Sequence, residues 1–298
     1  MQTNWDDLRL FLAVAREASL SGAGKVLRLD PATVGRRMQR LERALQATLF
    51  AKSPQGYALT DAGLSLLGRA EAAERAMRSA VADLPPDSDR LSGQIRIGAP
   101  DGSANYLLPQ VCAALARDNP DLDIQIVALP RVFNLSRREA DTAIAVSAPT
   151  AGRLVVQKIT DYHLHLAASD AYLARHEPLR TRADLSRHRL VGYIPDMIFD
   201  RELDYLGELG LDRVALASNS VSVQTNWIRQ GGGVGIVHDF AVPAMPGVRR
   251  ILTREISLTR SFYLIRHMDD RRNLRLSRFA EALTTGLRAE VARLEALA

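Results

Sequence analysis

The chain has 298 residues, of which 47% are hydrophobic and 24% charged, so it is long enough for two folded domains and too apolar for wholesale disorder. It has no run of about 18 apolar residues, which excludes a membrane-spanning helix, and no signal-peptide pattern at its start, which argues against export. Its one cysteine, Cys112, excludes a disulfide framework. The net charge is +5, and residues 1–60 alone carry +4. We therefore expect a cytoplasmic protein whose first segment binds a polyanion.

The first sixty residues predict three short helices. Apolar residues recur from Leu8 to Ala15 at the spacing of an amphipathic helix. Ser21 is a candidate cap for a second helix. Asp30-Pro31 indicates the cap and first residue of a third helix, which runs to about Leu45.

The third predicted helix has an apolar face and a basic face. Arg36, Arg40 and Arg43 fall opposite an apolar stripe, and Arg37 lies on its flank. Arg36 and Arg37 occupy the first turns, where helix-turn-helix proteins contact base edges, and a guanidinium can bond guanine bidentately. The alternative is a solvated charged face on a surface helix, which the tight turn and the uneven charge distribution disfavour.

Two short alternating runs around Pro54 and Gly56 predict a hairpin, with Lys52 near its tip in reach of a phosphate. Thr60 then caps the next helix. Taken together, this head resembles the winged helix-turn-helix of LysR-type transcriptional regulators in the segments 10–15, 19–21, 33–37, 41–42, 49–50 and 59–63. Gly35 stands where that family commonly has a serine that contacts DNA, and Lys52 replaces a common arginine. The candidate DNA contacts are Ser21, Ala32, Thr33, Arg36, Arg37, Arg40, Arg43 and Lys52, with Arg36 and Arg37 on base edges and Arg40, Arg43 and Lys52 on the backbone.

A long helix is predicted from Asp61 to about Leu84. Two interleaved seven-residue series have the a/d pattern of a two-stranded contact: Leu66, Ala73 and Ala80, and Ala70, Met77 and Leu84. The alternative is a helix packed on its own body, whereas the resemblance implies pairing of two chains through this helix. Residues 84–89 then form a hinge. The predicted domains are a DNA-binding domain at 1–60, a linker and dimerisation segment at 61–92, and an effector-binding domain at 93–298.

Strands alternate with helices after residue 93, which predicts an open α/β sheet. The segments 93–98, 106–109, 137–144 and 231–236 resemble the family's effector domain. That resemblance implies a two-lobed fold like that of periplasmic binding proteins. We expect the chain to cross between the lobes near 154–161 and 262–267, which makes 162–265 the second lobe.

Ligands of open α/β sheets bind beyond the carboxyl ends of the strands. Serines at helix starts and one arginine favour an anion there, whereas Asp101 opposes it, so the charge of the effector stays open. Helix capping is the alternative role for each serine. The candidate effector contacts are Pro100, Asp101, Gly102, Ser103, Arg131, Ser147, Ser218, Asn219 and Ser220.

These features predict a DNA-binding transcriptional regulator that senses a small molecule. Its expected partners are double-stranded DNA, the effector, a second copy of itself in a dimer or tetramer, and RNA polymerase. No cofactor or metal is expected, since His163 and His165 lack a third ligand and Cys112 fits a buried helix face. The alternatives are a small-molecule-binding or enzymatic α/β protein whose first helices contact other proteins, and a regulator that responds to a protein partner. No catalytic motif supports the enzyme.

Overall fold

The computed structural model describes residues 4–53, 56–82, 90–128, 140–149, 152–211 and 213–298. The chain divides into two compact units, Met1–Leu84 and Pro85–Ala298. The fold class predicted from the sequence, a winged helix-turn-helix followed by a long linker helix and a two-lobed α/β domain, is confirmed.

The first unit consists of four helices and a hairpin: α1 (Trp5–Glu17), α2 (Leu20–Leu27), α3 (Pro31–Leu45), β1 (Phe50–Ser53), β2 (Gly56–Leu59) and α4 (Asp61–Ala82). Its core is built from the apolar stripe of α1 with Val34, Met38 and Leu41 of α3. Those three residues are buried, so α3 turns its opposite side outward.

Local hydrogen bonds explain where these elements begin. The Asp30 carboxylate accepts from the backbone N–H groups of Ala32 and Thr33, as predicted for the start of α3. The prediction for α2 was wrong by two residues: Ser19, not Ser21, is its cap, with its Oγ accepting from the Gly22 N–H at 2.9 Å.

The hairpin is tied to the end of α1. The Tyr57 N–H donates to the Ala18 carbonyl at 2.9 Å. Gly56 has a φ of +126°, and a Cβ on it would lie 2.4 Å from that same carbonyl oxygen. Only glycine fits this position without a local rearrangement.

The seam predicted on α4 is divided between two environments. Ala70 is buried, and Leu66 packs against the core of the first unit. Met77 is exposed, while the side chain of Ala80 and all of Leu84 lie outside the described residues. The first half of α4 therefore packs on its own body, as the alternative interpretation held.

The second unit contains nine strands, five α-helices and six short 3₁₀ helices among its described residues. The strands and α-helices are β3 (Gly93–Ala99), α5 (Asp101–Tyr106), α6 (Leu108–Asp118), β4 (Leu122–Ala128), β5 (Thr142–Ala145), β6 (Leu154–Ser169), α7 (Asp170–Leu173), β7 (Leu190–Gly192), β8 (Leu216–Ala217), α8 (Val221–Arg229), β9 (Val234–His238), β10 (Val248–Arg250), β11 (Ser257–His267) and α9 (Leu274–Glu295). The sequence did not predict α5 as a separate helix. The expected crossing at 154–161 is the first half of β6, which continues as one strand to Ser169.

The strands form one mixed sheet in the order β4-β3-β5-β11-β6-β9-β7-β8, with β10 beside β6. β3 runs parallel to β4 and β5, and β7 runs parallel to β8 and β9. The two long antiparallel strands β6 and β11 join these halves. The expected crossings, 154–161 and 262–267, lie within these two strands.

Candidate DNA-binding surface and effector site

The outward side of α3 carries guanidinium groups. Arg36 is exposed, and its Nη2 donates to the Thr33 hydroxyl at 3.0 Å. Arg43 is also exposed, with its Nε 3.3 Å from the Gln39 carbonyl oxygen. Both contacts lie within one helix and leave the charged ends at the surface. This is the arrangement that a groove-binding helix requires.

Arg37 and Arg40 share a buried carboxylate that the sequence analysis missed. Asp7 of α1 accepts from Arg37 Nε and Nη2 at 3.1 and 2.9 Å and from Arg40 Nη2 at 2.8 Å. The Asp7 side chain is 8% exposed, against 26% for Arg37 and 58% for Arg40. The carboxylate thus fixes two guanidiniums of α3 and offsets part of their charge. The sequence did hold a signal, because Asp7 lies on the apolar stripe of its helix.

The other predicted DNA contacts lie at the start of the same two helices. Ser21 and Ala32 are exposed, and Thr33 is half-buried. Lys52 is in β1, with its side chain outside the described residues. A Cβ on Gly35 would lie 3.3 Å from Leu20 Cδ1, so this position faces α2 and favours a small residue.

Glu42 connects α3 to the hairpin. Its Oε1 accepts from the backbone N–H groups of Leu49 and Phe50 at 2.7 and 3.3 Å. The chain leaving α3 is therefore anchored to the helix itself. The hairpin and the basic side of α3 consequently keep a fixed relation.

In the second unit, two helix starts meet at one carboxylate. Asp101 Oδ2 accepts from Ser220 Oγ at 3.1 Å and from the Ser222 N–H at 2.9 Å. The Ser218 Oγ in turn accepts from the Ser220 N–H at 3.1 Å. The structure thus brings together Asp101, Ser218 and Ser220. It also satisfies the start of α8 with an anion from the chain itself.

The remaining predicted effector contacts have different surroundings. Ser103 is buried, and its hydroxyl donates to the Pro100 carbonyl at 3.0 Å, which is a local helix-start contact. The Ser147 hydroxyl donates to the Asp200 carboxylate, a partner that the sequence did not reveal. Asn219 is half-buried, and Arg131 lies outside the described residues.

Buried aromatic and imidazole groups lie beside this region. A Cβ on Gly102 would be 3.3 Å from the His238 ring. That ring stacks on Tyr162, with 5.5 Å between centroids, and its Nε2 is 3.5 Å from the Tyr205 hydroxyl. Burial lowers the pKa of His238 to about 4 and raises the pKa values of Tyr162 and Tyr205. All three groups are therefore uncharged at neutral pH.

The residues considered for other chemistry have ordinary structural contacts. His163 and His165 pair with Glu295 and Asp239, and no group of three or more potential metal ligands occurs in the described ranges. Cys112 is buried, which raises the pKa of its thiol to about 11. Among the described helices, none has both the length and the apolarity to cross a membrane.

Two family models match the chain. The model of bacterial regulatory helix-turn-helix proteins of the lysR family covers residues 5–64, and that of the LysR substrate binding domain covers residues 88–288. The chain is 26% identical to the HTH-type transcriptional regulator PtxR of Pseudomonas aeruginosa, over 80% of this chain and 78% of PtxR. It is also 26% identical to the HTH-type transcriptional activator TtdR of Escherichia coli K12, over 76% of this chain and 75% of TtdR.

The fold is similar to that of a solved full-length regulator. The structure of the Vibrio cholerae virulence activator AphB, a member of the LTTR protein family, aligns with a TM-score of 0.58 at 21% identity. The alignment covers 95% of this chain and 99% of AphB. The architecture of both units therefore has a counterpart of known structure.

Proposed function

This chain belongs to the LysR family of transcriptional regulators, and from that premise we propose how it contacts DNA and its effector. It is a DNA-binding regulator with an effector-binding domain. The proposal concerns the residues that make each contact and the partners beyond DNA and the effector.

We propose that the outward side of α3 enters the major groove. Arg36 contacts a base edge directly, and Arg37 does so from the position that Asp7 gives it. The phosphate contacts come from Arg40, Arg43 and Lys52, while Ser21, Ala32 and Thr33 flank the groove. The supporting observation is that Arg36 is exposed at the first turns of α3 while the opposite side of that helix is buried in the core.

We propose that the effector binds where the strand ends and helix starts of the second unit converge. The proposed contacts are Pro100, Asp101, Gly102, Ser103, Arg131, Ser147, Ser218, Asn219 and Ser220. An effector that binds there must replace the hydrogen bonds that the Asp101 carboxylate accepts from Ser220 and the start of α8. Exchange of these contacts would shift the population of domain conformations.

We further propose that two or four copies assemble, because paired heads match two-fold DNA sites. A regulator of transcription must change what RNA polymerase does, so we propose RNA polymerase as a partner. Because DNA is the target, the site of action is the cytoplasm. A regulatory role accounts for both units without any enzymatic activity.

The test is a competition titration of the full chain on duplex DNA. A preferred site is first selected from a random-sequence pool, and affinity for it and for random DNA is then measured from low to high salt. Affinity should fall steeply with salt, since phosphate contacts release counterions. Arg36→Ala should lower discrimination between the two duplexes by about 1–3 kcal/mol for each DNA-binding domain bound, the contribution of one bidentate base contact.

The matched control is Arg69→Ala, which removes the same charge from an exposed position on α4. It should keep the selectivity of the unmodified chain. Unchanged discrimination in Arg36→Ala would refute the assignment of Arg36. Absence of salt-dependent DNA retention by the unmodified chain would refute the proposed DNA surface as a whole.

A further inference from the structure

The second lobe contains a cavity of about 270 Å³. Its floor includes Val191 of β7 and Ile236 of β9, and Gln224 of α8 forms part of its wall. The segment 195–211, which contains three short 3₁₀ helices and which we call the cover, lines it with Leu203, Leu206 and Leu211. None of the effector residues proposed above that the structure describes lines this cavity. It therefore offers a separate place for a small molecule.

The cavity wall is mainly apolar. Aliphatic and tyrosine side chains make up most of the lining. Among the described lining residues only Asp204 is charged, and it is exposed and already accepts from the Gly207 N–H at 3.1 Å. A charged ligand would lose its hydration here without gaining a buried counter-charge. The lining thus favours an uncharged molecule.

Two buried polar groups give the cavity a direction. Gln224 is 5% exposed, and its Nε2 donates to the Ser218 carbonyl at 2.7 Å, which leaves its Oε1 as a hydrogen-bond acceptor. Tyr205 is 4% exposed, and its hydroxyl has a long 3.5 Å contact with His238 and also interacts with the Tyr162 hydroxyl. A ligand hydroxyl or N–H group can donate to the Gln224 oxygen, which accepts no hydrogen bond from the described residues.

The volume restricts the size of the ligand. A cavity of about 150 Å³ accommodates benzene, and sites for drug-sized molecules start at about 300 Å³. A volume of about 270 Å³ therefore suits one ring or a short branched chain with a small substituent. We propose that this cavity binds an uncharged, mainly apolar molecule of that size that carries one hydroxyl or N–H group. This proposal rests on the regulatory function proposed above, under which such a molecule is the chemical class of an effector.

The cover links the cavity to the rest of the domain. Asp200 belongs to the cover, and its carboxylate accepts from Ser147, the residue that follows the first-lobe strand β5 by two positions. Arg260 of β11 holds the cover from the other side, donating to the Glu202 carbonyl at 2.9 Å and to the Glu208 carboxylate. A ligand that displaces the cover therefore changes a contact between the two halves of the sheet. This gives the cavity a route to the conformational change of a regulator.

The test uses 4-fluorophenol, which is uncharged at neutral pH, with the full chain and ¹⁹F NMR detection. We expect saturable binding to the unmodified chain and its loss in Leu211→Trp, which fills the cavity. Leu274→Trp is the matched control, because it makes the same change at an exposed position on α9. Val214→Phe fills the cavity from another wall and replaces Leu211→Trp if that variant does not fold.

Two further variants separate the binding modes. Gln224→Leu should weaken 4-fluorophenol about five-fold while leaving fluorobenzene unchanged, because only the phenol donates a hydrogen bond. Ser220→Ala should leave both probes unchanged, since Ser220 belongs to the other proposed effector site. Loss of binding in Ser220→Ala but not in the filled variants would overturn the proposal.

Absence of saturable binding of both probes at millimolar concentration would also overturn it. DNA retention is measured on the same samples. If the chain binds DNA but neither probe, only the proposal of a ligand site in the cavity is refuted. If it binds a probe but not DNA, only the proposed DNA-binding surface is refuted.

Discussion

Replacing Asp7 by alanine isolates the contribution of the carboxylate that holds the basic side of α3. Breaking a buried ion pair by removing one partner costs about 3–5 kcal/mol, whereas an exposed pair contributes about 0–1 kcal/mol. Arg37 is about a quarter exposed and Arg40 more than half exposed, so this cluster lies between those limits. We expect Asp7→Ala to lower the free energy of unfolding by about 2–3 kcal/mol.

Asp6→Ala is the matched control, because Asp6 is in the same first turn of α1 but exposed. Both variants lose one negative charge near the helix start, which contributes about 0.3–1 kcal/mol. Urea unfolding of the full chain would be followed by Trp5 fluorescence in a Trp227→Phe background, since the chain has two tryptophans.

The same variants test the orientation of the guanidiniums on DNA. Asp7→Ala should bind random DNA slightly more tightly, because a negative charge is removed, but should discriminate less between the selected site and random DNA. Equal losses of stability and equal selectivity in Asp7→Ala and Asp6→Ala would refute the role given to this cluster.

Three further outcomes are expected. Arg43→Ala should reduce the slope of log affinity against log salt concentration by about one for each DNA-binding domain bound, without changing sequence selectivity. A changed selectivity would contradict a contact with phosphate alone. Gly56→Ala should lower the free energy of unfolding by roughly 2 kcal/mol or more in a urea titration, because the position has a positive φ and the new Cβ would collide with the Ala18 carbonyl. Gly68→Ala is the control, since a Cβ there has open space around it and should not destabilise the chain. The pKa of His238 is lowered from 6.5 to about 4, so on acidification the unfolded chain binds the proton before the folded chain does. The free energy of unfolding should therefore fall by roughly 3 kcal/mol from about pH 6.5 to 4. His238→Gln should flatten this dependence in urea titrations across that range.

The parts of the fold that local chemistry determines were predictable. The Asp30-Pro31 pair marked the start of α3, and the 3.6-residue periodicity separated its two faces. The parts that long-range contacts determine were not. A crossing was expected at 154–161, but its continuation into one 16-residue strand depends on pairing with β11 about a hundred residues later.

The candidate sites divide in the same way. The exposed position of Arg36 follows from its helix face, whereas the partners of Arg37 and Ser147 come from distant segments. The cover of the cavity consists largely of 3₁₀ helices of three residues, which are too short for a recognisable periodicity, and two of them accept from Arg260 of the distant β11. A sequence pattern therefore located the basic helix but not the cavity.

The carboxylate of Asp101 at the start of α8 has a consequence for selectivity. It is a tethered competitor for any free anion, and a tethered group has an effective concentration of millimolar order or more. A metabolite with a carboxylate would thus displace it only when abundant or when other contacts add affinity. A neutral molecule bound in the cavity beside the cover faces no such competition, so the resting receptor discriminates against trace anions before any of them binds.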